Sequence, residues 1–499
     1  MRCVRRYIRM LCLTAAVLTG GCKVGPDYSR PTTPADEATN FVNGSESKPD
    51  VNEVKPSGRW WERFGDPITA ELVRDALERN YDLKAAAARV LQAQAGLKES
   101  RGRLWPDVSY SLTRDRSKRY INFGGDGGGF TDPNLGFDFS GFKLSPLTTT
   151  WSQAVSVSYL VDLWGKLRHA ERAAWQELLA TESNRQALVN SVIAQVIQAR
   201  INVAMQQKRL DLATANVESL EQTVQITERR YEQGLVGPVD VRLARANLES
   251  ARSQVPALAS TLARARHSLD VLVGRRPGSS PELRRTLPEL PELEPPPAGV
   301  PAALLDRRPD VRAAEFSLRA ANERIGVSIA QLYPDLTLTG SYGTSSDRWE
   351  DIWDREFEVY SAITNLAAPI WRGGQIRAQI EAAKARYAEQ AANYAAVVLQ
   401  AMREVEDALI GEQSLQAQIE HVQLQFGESQ AAEQLSLQRY QRGVEGLLTV
   451  LESERRRRIA EQELAILKGQ LWTTRVNLHL ALGGDWDSSQ DAERQMVKK

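Results

Sequence analysis

From Ile68 to Arg103, apolar residues recur at steps of three and four, with Leu72, Ala76, Leu83, Ala87, Val90 and Leu97 on one face. That spacing predicts a helix. Trp105-Pro106 ends it, because proline has no N–H to give and disfavours helix in the residue before it. The period then falls to two. Val108, Tyr110 and Leu112 alternate with Asp107, Ser109, Ser111 and Thr113. On the return, Trp151, Val155, Val157, Tyr159 and Val161 alternate with Ser152, Ala154, Ser156, Ser158 and Asp162. Large apolar side chains on one face and small polar ones on the other, over about ten residues, is the pattern of a transmembrane β-strand. A glycine-rich loop, Gly124 to Gly129, lies between the two runs.

Next comes a stretch of 69 residues, Gly165 to Gln233, with no proline and no glycine after its first residue. As a helix it would be about 100 Å long. Gly234-Leu235-Val236-Gly237-Pro238 forces a turn, and a second helix is predicted from Val239 to about Val273, kinked at Pro256.

The second half repeats this order. Arg103-Leu104-Trp105-Pro106-Asp107-Val108 recurs as Gln331-Leu332-Tyr333-Pro334-Asp335-Leu336, an offset of 228 from Pro106 to Pro334. Leu83, Ala86, Val90, Ala93 and Leu97 fall on Val311, Ala314, Leu318, Ala321 and Ile325 without a gap. Leu163-Trp164-Gly165 matches Ile370-Trp371-Arg372, and Arg230-Tyr231-x-x-Gly234 matches Arg439-Tyr440-x-x-Gly443. Leu336, Leu338 and Tyr342 alternate with Thr337, Thr339 and Ser341, while the return near Phe357, Val359 and Ile363 alternates less cleanly. Gly374 to Arg442 is again 69 residues, Gly443 to Gly446 turns, and Leu447 to Leu482 returns. A period this long is not that of a solenoid. It is a duplicated helix–strand–strand–helix–helix unit.

The lengths fit together. Each return helix and each pre-strand helix is about half as long as the long one. One long helix can therefore lie beside two short ones stacked end to end, held by coiled-coil-like seams. The sequence divides into 1–21, a signal; 22–66, a tether and equatorial segment; and 67–274, the first repeat, with strand pair 107–163, long helix 165–233 and tip 234–238. After it come 275–301, a Pro-rich equatorial linker; 302–483, the second repeat, with strand pair 335–366, long helix 374–442 and tip 443–446; and a tail at 484–499.

Charge and cysteine content add a location. Lys+Arg and Asp+Glu are both 63 in 499 residues, so nothing points to nucleic acid. Arg2, Arg5, Arg6 and Arg9 precede a short apolar core, Met10 to Leu18, and Thr19-Gly20-Gly21 precedes Cys22, which reads as an export signal. Cys3 and Cys12 would leave with it, so Cys22 would be the only mature cysteine, at the +1 position of a bacterial lipoprotein. Lys23 beside it favours the outer membrane. No stretch after residue 21 reads as a spanning helix, so a membrane role must come from strands or a lipid.

Four strands cannot close a barrel, and an open edge in lipid leaves backbone groups unpaired at several kcal/mol each. The chain must therefore assemble, and three copies would supply twelve strands and a water-filled lumen. The fold expected is mainly α with a transmembrane β-barrel, a homotrimeric α/β-barrel tube.

Cys22-Lys23-Val24-Gly25-Pro26-Asp27-Tyr28-Ser29-Arg30-Pro31 and Trp60-Trp61-x-x-Phe64-Gly65-Asp66-Pro67 resemble the opening of OprM/NodT-type outer-membrane efflux lipoproteins, within the TolC-like family. The resemblance runs over essentially the whole mature chain. It implies a lipid-anchored (palmitate-bearing) homotrimer in the outer membrane with a long periplasmic extension. Its tip would engage a periplasmic adaptor (membrane fusion) protein, which links it to a proton-driven inner-membrane exporter of the RND type. No cofactor is implied beyond the lipid on Cys22.

The resemblance also implies a gate at the periplasmic tip. Glu452 stands where relatives carry Asp, and Leu448 matches an apolar constriction residue. Thr449 stands where TolC has a second acid, and Glu445 where TolC has an arginine. Asp240 is kept, facing Tyr440 as a closing contact. Gly234, Leu235, Val236, Gly443, Val444 and Glu445 would touch the adaptor. Three copies of Glu452 around an axis would form an anionic ring that favours cations and raises the carboxylate pKa. The plainer reading is a solvated residue paired with Arg456 at i+4. Arg455 to Arg458, with Glu452, Glu454 and Glu461 one turn away, reads as a solvated paired face.

Catalysis is not expected. His169, His267, His421 and His479 are scattered without metal-ligand spacing and read as helix-surface residues. The Gly124 to Gly129 run lacks phosphate-loop spacing. The expected function is an exit duct exporting drugs or small toxic compounds. A type I protein-secretion channel is the alternative, and a periplasmic coiled-coil scaffold the lesser one.

Overall fold

The computed structural model describes residues 24–33, 35, 41–43, 61–62, 66–122, 143–280 and 307–484. The signal, Cys22, the glycine-rich loop and most of the Pro-rich linker and tail lie outside the described residues.

The chain runs α1 (Pro67–Arg79), α2 (Tyr81–Gly102), β1 (Asp107–Lys118), β2 (Ile121–Asn122), β3 (Lys143–Leu144), β4 (Leu147–Val161), α3 (Lys166–Glu232) and α4 (Pro238–Val273). It repeats with α5 (Pro309–Ala330), β5 (Asp335–Ser346), β6 (Glu358–Ala367), α6 (Gln375–Gln441) and α7 (Leu447–Ala481). The long helices α3 and α6 are 67 residues each, two shorter than the proline-free runs that predicted them. Helix α4 continues through Pro256.

The single pre-strand helix expected from Ile68 is in fact two. Asn80 has non-helical backbone and its side chain accepts the N–H groups of Asp82 and Leu83 at 2.8 and 3.1 Å, capping α2. Its amide donates to the Leu272 carbonyl at 2.8 Å. The break therefore satisfies orphan groups at both helix ends and fixes the joint to the end of α4.

Two compact units share these elements, one built from 94–176 and 319–388 with the start of the chain, the other from 30–93, 177–318 and 389–499. The first holds an antiparallel sheet in the order β1-β4-β5-β6, with β2 and β3 forming a separate short pair. Register sets Val108 opposite Val157, Tyr110 opposite Val155, and Val155 opposite Tyr342, so the large apolar residues share one face. Strand β6 departs from this. Val359 and Ile363 pair with Gly343 and Thr339, on the small polar face, and Phe357 lies in a 3-10 turn before the strand. That is why its alternation reads poorly in the sequence. Both edge strands, β1 and β6, are exposed along their whole length.

Still in this unit, His169 corrects the surface assignment made from the sequence. It is 2 % exposed, with Nδ1 2.5 Å from Glu323. A Cβ at Gly326 would come within 2.7 Å of its ring, so the helix backbone passes directly over it.

In the second unit the core surrounds the middle of α3. Val192, Ile193, Val196, Ile197 and Ile201 pack with Leu72 and Val73 of α1, Leu269 and Val273 of α4, and Trp472 and Val476 of α7. An 18-residue window of α3 with mean hydropathy 1.2 is long and apolar enough to span a membrane, but more than half of it is buried. It is a core helix. Arg200, fully buried in it, faces Asp66 at 3.1 Å. Asp66 also caps α1, accepting from Ile68 N–H at 3.1 Å and the Thr69 hydroxyl at 2.7 Å.

Candidate functional site: the two helical tips

Both tips are built by the same backbone device. Gly234 (φ +73) and Gly443 (φ +81) adopt the left-handed conformation that only glycine takes without strain. Leu235 N–H then reaches the Arg230 carbonyl at 2.9 Å, and Val444 N–H reaches that of Arg439 at 3.1 Å, closing Schellman-type ends. Gly237 and Gly446, both extended, start the return helices, with Pro238 in the first turn of α4. Duplicated glycines thus give duplicated turns.

One hydrophobic cluster joins the two tips. Leu220 and Val224 of α3, Ala244 and Leu248 of α4, Tyr440 of α6 and Leu447 and Val450 of α7 are all buried in it. Tyr440 is 1 % exposed, and the Arg230 guanidinium lies 4.4 Å from its ring centroid. Its hydroxyl donates to Thr227 at 3.3 Å, rather than to Asp240. Asp240 sits half-buried in the first turn of α4. The outermost apolar side chains, Leu235, Val239, Val444 and Leu448, are each more than 60 % exposed, and Val236 is half-buried.

Glu445 accepts the Thr449 hydroxyl at 3.0 Å and lies 3.5 Å from Arg439, so it ties its own turn together. Glu452 accepts Nε and Nη2 of Arg455 at 2.9 and 2.8 Å, and Nε of Arg456 at 2.8 Å. Hydrogen bonds from Arg455 and then Arg456 hold its carboxyl down at about 2. Within one chain the two guanidinium groups therefore act against the upward shift expected of a bare anionic ring.

The neighbouring charges are not all solvated. Glu454 is 4 % exposed and accepts the Thr223 hydroxyl at 2.9 Å, with its other oxygen unpartnered. Burial pushes its carboxyl up. Arg457 is half-buried between Glu433 and Glu461, and burial also raises Glu433. The face expected to be solvated is thus solvated at Arg455 and Arg456, half-buried at Arg457 and buried at Glu454. The signal lay in spacing: Leu447, Val450 and Glu454 follow one helical stripe, and that stripe faces the cluster. Among the described residues no group of His, Cys, Asp or Glu is arranged to hold a metal.

A sheet whose edges are bare among the described residues, in a chain with helical hairpins of this length, defines a class, the outer-membrane channel built of strands and long helical hairpins. The family model of the outer membrane efflux protein matches residues 72–275 and 300–484. A probable efflux pump outer membrane protein of Pseudomonas putida, SepC, is 30 % identical over 96 % of this chain and 97 % of its own. The pyoverdine export outer membrane protein OpmQ of Pseudomonas aeruginosa is also 30 % identical, with 96 % and 97 % covered. Among solved structures, the outer-membrane channel OprN has a TM-score of 0.81 at 28 % identity, covering 93 % of this chain and all of that one. The open state of the Neisseria gonorrhoeae channel MtrE has 0.78 at 27 % identity, with 93 % and 99 % covered.

The chain belongs to the outer membrane efflux protein family. It is an efflux channel protein of the outer membrane, and its relatives are channels rather than enzymes.

Proposed function

We propose that three copies close into one duct, with the tips as its periplasmic entrance. The observation that carries this is the four-stranded sheet whose edges, β1 and β6, are both exposed and, among the described residues, unpaired. In lipid those edges need partners, and three sheets end to end supply twelve strands. A second feature supports assembly. On α6, Leu399, Ile410, Leu424 and Leu435 are 48 to 64 % exposed and fall at steps of 11, 14 and 11 residues, one stripe of the helix. An apolar stripe about 50 Å long fits a neighbouring copy.

In this reading a lipid on Cys22 anchors the duct. The exposed apolar residues around Gly234, Leu235, Val236, Gly443, Val444 and Glu445 receive a periplasmic adaptor, which couples the duct to a proton-driven inner-membrane exporter of the RND type. Asp240, Tyr440, Leu448, Thr449 and Glu452 form the gate. The cargo is drugs or small toxic compounds, the class to which relatives named for toluene and solvent efflux point. Deleting the gene in its host should lower tolerance to several such compounds, with recovery on complementation. Loss of a secreted protein with unchanged tolerance would instead favour type I secretion.

A further inference from the structure

One face of β1 changes character along its length. Val108, Tyr110 and Leu112 are apolar, and the next three residues of the same face are Arg114, Arg116 and Lys118. All six are exposed. The opposite face carries Asp115, so the switch is not a general rise in charge but a row of cations that continues an apolar row.

Register fixes the height of the switch. Arg114 pairs with Trp151 on β4, and its guanidinium lies 4.9 Å from the indole centroid. Trp151 in turn packs edge-on to Trp349 at 4.8 Å, and Trp349 to Trp353 at 6.3 Å. From Val161, at the helix-proximal end of β4, up to Trp151 is ten residues. At about 3.3 Å per residue and a tilt of about 40° that distance is roughly 25 Å, the height of the apolar band of an outer-membrane barrel. The tryptophan group therefore marks the outer membrane–water boundary. Arg116 and Lys118 lie about 5 and 10 Å above it, at headgroup level.

Apart from the Arg114–Trp151 contact, the three make no ion pair or side-chain hydrogen bond among the described residues. Glu358, the acid at the matching end of the other edge strand, already accepts the Tyr342 hydroxyl at 2.8 Å. Arginine and lysine spaced two apart on a strand stand about 7 Å from one another, which suits phosphate groups carried on adjacent lipids.

We infer that Arg114, Arg116 and Lys118 bind the phosphate groups of a phosphorylated glycolipid in the outer leaflet, seated against Trp151. The inference rests on the reading of these strands as a membrane barrel with the helices on the periplasmic side. Such a row would fix the depth of the barrel and retain a collar of anionic lipid around it.

The test uses the full-length protein in phosphatidylcholine nanodiscs containing lipid A, either bis-phosphorylated or dephosphorylated, with lipid retention read by native mass spectrometry. Each cation near an anionic membrane surface is worth about fivefold, so wild type should prefer the phosphorylated form by about a hundredfold. R114Q/R116Q/K118Q should lose that preference and keep its oligomeric mass, and R114K/R116K should restore most of it. Excess inorganic phosphate should not displace the lipid. Equal retention of both lipids by wild type, or an unchanged preference in the triple variant, overturns the inference. So does displacement by free phosphate. A triple variant that falls to monomers in phosphatidylcholine alone would assign the row to contacts between copies. Conductance separates the underlying reading: a wild type that binds lipid yet forms no channel would sink the duct and leave the phosphate site standing.

Discussion

Helices α3 and α6 are the same length, occupy the same place in the two repeats at an offset of 209, and are buried differently. Ile201 of α3 is 1 % exposed, whereas Ile410, its counterpart, is 48 % exposed. At the tips the order reverses, with Tyr231 47 % and Tyr440 1 % exposed. Local structure was duplicated with the sequence, but burial was not, because each copy meets its neighbour on one side within the chain. In the proposed assembly the other side meets another copy of the chain. Residues bare in one repeat and covered in the other therefore mark the faces that association would cover.

The same charge placed at both positions should have very different effects. Ile201→Asp would strand an unpaired carboxylate in the core around α3 and should abolish folding by circular dichroism. Ile410→Asp should leave the helical signal intact and lose the proposed trimer. If both variants unfold, or both assemble, the comparison fails.

Arg200 sharpens it further, because its counterpart in the second repeat is Leu409. Asp66→Ala would leave the fully buried guanidinium without its carboxylate, and about 3–5 kcal/mol should be lost in thermal unfolding. Burial already lowers the pKa of that arginine, with Asp66 acting to hold it up.

Within the sheet, Gly340 and Gly343 make a smaller contrast. A Cβ at Gly343 would collide with the Gln153 carbonyl and approach Ala154 Cα at 2.7 Å, while at Gly340 nothing lies closer than 3.8 Å. Gly343→Ala should cost about 1–3 kcal/mol by overpacking and lower the temperature at which the sheet loses its strand signal, and Gly340→Ala should not. Equal shifts would contradict the pairing of β4 with β5.

The smallest effects are those of pH at the tip. Glu454 has a raised pKa in the folded chain, so its folded form holds the proton more tightly and stability falls as pH rises past the ordinary carboxylate range. Glu454→Gln should raise the melting temperature at pH 7 and leave it unchanged near pH 4. Glu452 has the opposite sign: its contribution is present above about 4.5 and fades as pH falls to about 2. Glu452→Gln should lower the melting temperature slightly at pH 7, with the difference gone near pH 2. A Glu454→Gln variant less stable than wild type at pH 7 would overturn the first reading.

Much of the fold was legible in the sequence because its punctuation is local. Pro106, Pro334, Gly234 and Gly443 stop the elements they follow, and the long proline-free runs give α3 and α6 within two residues. What the sequence hid was tertiary. Asn80 breaks a helix through bonds to Asp82, Leu83 and Leu272, a partner far along the chain. His169 looks like a surface residue until Glu323 and Gly326 close over it. At the tips the glycines were readable and the side-chain partners were not, since Tyr440 could have met Asp240 as easily as Thr227 on spacing alone.

If copies of this chain close into one conducting duct, the particle has a defined mass and a conductance. Native mass and planar-bilayer conductance, taken on the same detergent-extracted sample, test it together. The account predicts a particle of three chains that conducts ions in discrete steps. A single chain with no conductance would contradict it, leaving the bare edges of β1 and β6 and the apolar stripe of α6 without the partners this account gives them.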